Sequence, residues 1–121
     1  QDTLSSMQET LDFAMSNLTE MVNFYCAMAY PGSPLYLDSK IMGKTLPEEY
    51  SAFSQHSYDT LNLSNDKLTS AQILKFRDDA WMKYHNNSDY LNLLERKFGK
   101  NCLKNINQTK SIKLKRKLLG D

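Results

Sequence analysis

Apolar positions recur along the first twenty residues at helical spacing. Leu4, Met7, Leu11, Ala14 and Leu18 follow one another at intervals of three and four, which places them on one helix face. Ser6 with Glu9 three residues later offers a capping box, and Thr3 is a competing start. The pattern then changes. Val22-Asn23-Phe24-Tyr25-Cys26-Ala27-Met28-Ala29-Tyr30 is rich in β-branched and aromatic side chains and almost free of polar ones. It lacks strict alternation, so the reading is a strand buried on both faces, as in a parallel sheet. Pro31-Gly32-Ser33-Pro34 ends it, because proline cannot extend a ladder and glycine permits a sharp turn.

No later segment reads as a strand. Leu35 to Met42 predicts a short helix stopped at Gly43, and Leu46 to Phe53 a second one with Pro47 in its first turn. Residues 54–68 carry turn formers and predict an ordered loop. Thr69 with Gln72 is another capping box, followed by a stripe of Ile73, Phe76, Ala80 and Tyr84. Asn86-Asn87-Ser88 breaks that helix and caps the next, in which Tyr90, Leu91, Leu94 and Phe98 share a face and Gly99 is the stop. A last helix is expected from Asn101 to Leu118, with Leu103, Ile106, Leu114 and Leu118 as a weak apolar stripe. Trp81, Phe76 and Phe98 are assigned to the core, and Arg77 with Asp78 and Asp79 to a buried ion pair fixing helix packing.

The expected fold is therefore mainly α, with one α–β unit at its start. One strand cannot form a sheet, and its unpaired backbone groups are costly to bury. Either it pairs with another copy of the chain through residues 21–31, or its neighbours lie in another part of a larger protein. A helix, a strand and a loop in that order resemble one step of a β/α barrel, where loops at the strand C-termini meet ligands. The division expected is 1–36 as this terminal α–β unit, 37–68 as a connection with short helices, and 69–121 as a helical region.

Composition narrows the class. The 121 residues are 40% hydrophobic and 24% charged, as in ordinary globular chains. No apolar run approaches the roughly 18 residues a membrane span needs. Two cysteines, Cys26 and Cys102, make neither a disulfide framework nor a metal quartet, which fits a reducing, cytoplasmic setting. An opening at Gln1 without methionine suggests an excerpt. Charge is divided unevenly: residues 1–95 hold 6 basic against 13 acidic side chains, and residues 96–121 hold 9 basic against Asp121 alone. A basic tail can bind nucleic acid or an anionic surface. This one lacks the interleaved aromatics that stack on bases, so it is expected to fold back on the acidic remainder or to form a solvated helix face, and nucleic acid is not the expected partner.

No complete active site is visible. His56 and His85 have no metal spacing, Ser33 lies outside any nucleophile elbow, and Glu48-Glu49 and Asp78-Asp79 point to different helix sides. The Asn-x-Ser/Thr triplets at Asn17, Asn62, Asn86 and Asn107 are chance products of an asparagine-rich chain. The chain by itself is not expected to be catalytic.

Several blocks carry a resemblance. Asn23-Phe24-Tyr25-Cys26-Ala27-Met28-Ala29-Tyr30-Pro31-Gly32-Ser33-Pro34-Leu35-Tyr36 resembles a segment near the end of the barrel in cobalamin-binding radical SAM proteins. Leu46-Pro47 and Tyr50-Ser51-Ala52-Phe53-Ser54-Gln55-His56-Ser57-Tyr58 continue it, as do Phe76-Arg77-Asp78-Asp79-Ala80-Trp81 with Tyr84, then Tyr90-Leu91, Lys97-Phe98-Gly99 and Leu114-Lys115-Arg116-Lys117-Leu118-Leu119. The resemblance implies a parent enzyme with a cobalamin domain and a partial barrel. That barrel holds a 4Fe-4S cluster on a Cys-x-x-x-Cys-x-x-Cys loop and cleaves S-adenosylmethionine, for methyl transfer or a radical rearrangement. This chain has neither that cysteine motif nor the Asp-x-His-x-x-Gly cobalamin signature. It resembles the last barrel step plus the C-terminal helical region, packing on the barrel and closing it, with the cofactors held by the rest of the parent. The resemblance puts Tyr30, Pro31, Gly32 and Ser33 near S-adenosylmethionine and Gln55, His56 and Tyr58 on the substrate side, the latter three also suited to anchoring their loop. The other class of function open to the sequence is a small helical interaction module whose basic tail binds nucleic acid or a protein partner.

Overall fold

The computed structural model describes residues 2–121. Five α-helices carry the fold: α1 (Leu4–Ser16), α2 (Pro34–Ile41), α3 (Ser70–His85), α4 (Ser88–Phe98) and α5 (Lys100–Ser111). Two single 3-10 turns, Tyr50–Phe53 and Lys117–Leu119, complete it, and no strand forms among the described residues.

Local chemistry sets most of the helix ends. Thr3, not Ser6, caps α1: its hydroxyl accepts from Ser6 N–H while the Ser6 hydroxyl accepts from Thr3 N–H. Glu9 is left to take the Ser5 hydroxyl. Thr69 and Gln72 form the expected reciprocal cap of α3. The Asn87 side chain accepts from Asp89 and Tyr90 N–H and opens α4. Gly99 ends α4 at φ 77°, a left-handed backbone that side chains disfavour, and so lets α5 start in a new direction.

Helix α3 is the hub, touching α1, α4, α5 and the Lys117–Leu119 turn. Tyr84, Tyr90 and Leu94 form the buried centre, with Ala14, Met15, Leu18, Val22, Phe24, Leu91, Cys102, Leu103 and Ile106 packed around it. The tyrosine hydroxyls there find partners. Tyr84 donates to Thr19 C=O and accepts from Thr19 N–H, while Tyr90 donates to Glu20 C=O, tying down the loop after α1.

Several sequence expectations are corrected. Val22–Tyr30 is neither a strand nor buried on both sides. Val22, Phe24, Cys26 and Met28 face inward while Met21, Asn23, Tyr25 and Ala27 are exposed, the two-residue period of an extended chain with one covered face. The α–β unit expected for residues 1–36 is thus an α-helix followed by an extended segment without a ladder. Its backbone is met from the inside by side chains: Gln55 bonds both Cys26 N–H and C=O, and Arg77 Nε donates to Phe24 C=O. The helix expected over Leu46–Phe53 shrinks to one 3-10 turn, with Pro47 ahead of it. The last helix stops at Ser111 instead of Leu118 because Arg116 is drawn out of helical register into a buried charge cluster. Phe98 is 58% exposed and so outside the core, whereas Phe76 and Trp81 are half-buried.

Candidate functional site

The loop at the end of the extended segment is built as a turn and a helix cap together. Ser33 N–H and Oγ both donate to Tyr30 C=O, and the same Oγ accepts from Tyr36 N–H to cap α2. The Ser33 hydroxyl is thereby committed to its own backbone. Gly32 sits at φ 85°, and no atom lies within 4 Å of the place a Cβ would occupy, so the turn offers open backbone to an approaching group. The Tyr30 ring leans on Phe53 at 6.0 Å, and Tyr50 lies 6.5 Å from Phe53 on centroids. Beyond the turn, α2 packs on no other helix, and it exposes Leu37, Ile41 and Met42 at 57%, 84% and 70%.

Gln55, His56 and Tyr58 separate into different roles. Gln55 is buried and its amide is used up on Cys26, with bonds of 3.2 Å and 2.8 Å. Tyr58 Oη donates to Asp121 C=O, and its own carbonyl accepts from Lys117 N–H. His56 alone remains open, on the wall of a cleft.

That cleft, about 750 Å³, lies between α3 and residues 109–121. Trp81, Met82, Ile112, Leu114 and Leu119 supply apolar walls, and Arg77, Asp78 and Arg116 lie at its base. Arg116 is 1% exposed. Its Nε and Nη2 grip the two Asp78 oxygens at 2.9 Å and 3.0 Å, and Nη1 donates to Gln55 and Ser57 C=O. Arg77 Nη1 donates to the same Asp78 carboxylate at 2.8 Å. The sequence pointed to a buried ion pair of Arg77 with Asp78 and Asp79, but Asp79 pairs with Lys75 at the surface. The stronger partner of Asp78, Arg116, lies 38 positions away inside a lysine-rich tail whose other cations are wholly or partly exposed. The residue pattern of Leu114–Leu119 holds no sign of which cation turns inward.

Around this base the tail does fold back on the acidic remainder. Lys97 pairs with Glu20 and Lys110 donates to Asn86, while Lys113 lies 3.5 Å from Asp121 within the tail itself. Two other groups are marked by burial. The Cys26 thiol is pushed up to about 11 by loss of solvent, so it is protonated and unreactive near neutrality. His85 stacks on Trp81 at 4.1 Å with Nδ1 2.8 Å from Trp81 C=O, which requires the proton on Nδ1. Burial first, then Lys110 and Arg77, hold its imidazole below the ordinary histidine value.

Among the described residues no group of three histidine, cysteine or acidic side chains can hold a metal ion, and no helix is long and apolar enough to cross a membrane. Comparison with protein-family models, with curated proteins and with solved structures finds no match.

Proposed function

We propose that this chain is the C-terminal part of a cobalamin-dependent radical SAM enzyme, packing on the parent's barrel and closing it, and inactive alone. The observation that supports this reading is the open side of the Val22–Tyr30 segment. In extended chain, successive residues direct their backbone groups to opposite edges. Phe24 and Cys26 turn theirs toward Arg77 and Gln55. Asn23 and Tyr25 turn theirs the other way, and find no partner among the described residues. On that outer edge only Ala27 C=O is engaged, by Leu63 N–H at 3.0 Å. An unpaired edge beside an uncovered apolar helix α2 suits a strand whose neighbours belong to another domain. This is the place at which the resemblance puts the last barrel strand and its ligand-facing loop.

In that parent, S-adenosylmethionine, the 4Fe-4S cluster and cobalamin belong to the preceding domains, in a cytoplasmic setting that suits the free thiols of Cys26 and Cys102. The Tyr30–Ser33 turn contributes open backbone near the adenosyl part, with Gly32 permitting close approach. The test is the longer reading frame. Its product should carry a Cys-x-x-x-Cys-x-x-Cys motif, show iron–sulfur absorbance after reconstitution, and release 5′-deoxyadenosine from S-adenosylmethionine. The 121-residue chain alone should show no S-adenosylmethionine binding by calorimetry. A start codon immediately before Gln1, or submillimolar binding by the isolated chain, would overturn the reading.

A further inference from the structure

The cleft over Arg77 and Arg116 has a charge imbalance that the packing does not resolve. Two buried guanidinium groups share the single carboxylate of Asp78, and Arg116 takes it by two bonds to Arg77's one. Arg77 is 6% exposed, with Nε on Phe24 C=O and Nη1 on Asp78, and its Nη2 has no partner among the described residues. The other charges of the lining cancel in pairs, Lys75 with Asp79 and Lys113 with Asp121, except Lys110, whose ammonium meets only the neutral Asn86 amide. That Nη2 is not closed off from the cleft, so a nearly buried positive charge keeps N–H donors free to meet an anion brought to it.

The walls select what else the anion carries. Trp81 is held flat against His85, at 4.1 Å and 23° between planes, and His85 does not itself line the cleft. Met82, Ile112 and Leu119 keep 40%, 67% and 38% of their surface exposed beside it. An apolar chamber with a few convergent polar groups, within the roughly 300–1,000 Å³ usual for small-molecule pockets, is the general form of a ligand site.

We infer that this cleft binds a small organic anion, a carboxylate or phosphate monoester on a flat apolar body, with its head toward Arg77 Nη2 and its body against Trp81. The inference stands independently of the parent enzyme proposed above, because every group it uses lies in this chain.

Trp81 is the chain's only tryptophan, so its fluorescence reports occupancy directly. Benzoate and phenyl phosphate should quench it saturably, and neutral benzyl alcohol should bind about tenfold or more weakly. Arg77→Gln should cost about tenfold in anion affinity, whereas Lys110→Gln, at a partly exposed position, should cost about twofold and only at low salt. Because Arg77 also holds Phe24 C=O, Met82→Glu serves as a second variant that sets a negative charge on the wall and leaves the core intact. It should abolish anion binding while the helical circular dichroism is unchanged. Equal affinity for benzoate and benzyl alcohol, unchanged affinity in folded Arg77→Gln or in Met82→Glu, or no saturable response to either anion would each overturn the assignment.

Discussion

Gln55 shows how one side chain can stand in for a missing strand. Its amide presents one acceptor and one donor to Cys26, as a neighbouring peptide group would. Gln55→Ala would strand a buried N–H and a buried C=O together. The expected loss is about 2–3 kcal/mol in urea unfolding, more than the removal of an exposed glutamine would give. A loss below half a kilocalorie, roughly the surface-substitution range, would mean that the segment relaxes freely. His85 makes a second prediction, through pH. Its folded-state affinity for a proton is lowered by burial, so below about pH 6.5 the unfolded chain takes up a proton that the folded chain refuses. Stability should therefore fall as pH drops through that range, by at most about 1.4 kcal/mol per pH unit. His85→Gln should flatten this part of the profile, read from urea midpoints at successive pH values. Neither role is legible in the sequence, because glutamine and histidine announce nothing about their partners until the fold supplies them.

At the scale of elements, what could be read in advance was what short-range chemistry decides. The Thr69–Gln72 cap, the Asn87 start and the Gly99 stop all follow from groups within four residues of one another. The strand expected at Val22–Tyr30 failed for the opposite reason. β-propensity reports a fit to a pleated, half-buried surface, and the ladder itself needs a neighbour that the segment cannot provide. Its real pattern is alternation, hidden in the sequence because the exposed positions include Met21, Tyr25 and Ala27 as well as Asn23. Helix α2 belongs to the same story: a Ser33 cap and Pro34 at its first position form it, while nothing covers its apolar side. Ile41→Lys with Met42→Lys should leave unfolding free energy within about 0.5 kcal/mol of the parent chain, since both side chains are already exposed. The same pair should raise solubility and reduce self-association in sedimentation. A large loss of stability would show that this face is covered in solution.

Across the whole molecule, the charge asymmetry of the sequence becomes a physical closure. The acidic body and the basic tail meet at the Asp78–Arg116 pair, with Lys97–Glu20 as a second tie nearer the surface. Charge counting identified the two halves correctly, and could not say that one arginine of nine tail cations carries the buried contact. That contact also has a meaning in time. Helices α3, α4 and α5 meet near neighbours in the chain, whereas Arg116 closes loops of 38 to 61 residues to Asp78, Ser57 and Gln55. Contacts of long separation tend to be completed after the local ones, because loop-closure entropy must be overcome before they form. Arg116→Met should therefore lower stability by about 3 kcal/mol, for the two Asp78 bonds lost and the Gln55 and Ser57 carbonyls left without their donor, and place most of that loss in the unfolding rate. In stopped-flow measurements the unfolding limb should rise by about two orders of magnitude while the refolding limb hardly moves. A slowed refolding limb would instead put the arginine in the nucleus. With the expected result, the tail acts as a latch: it contributes little to finding the fold and sets how long the fold lasts once found.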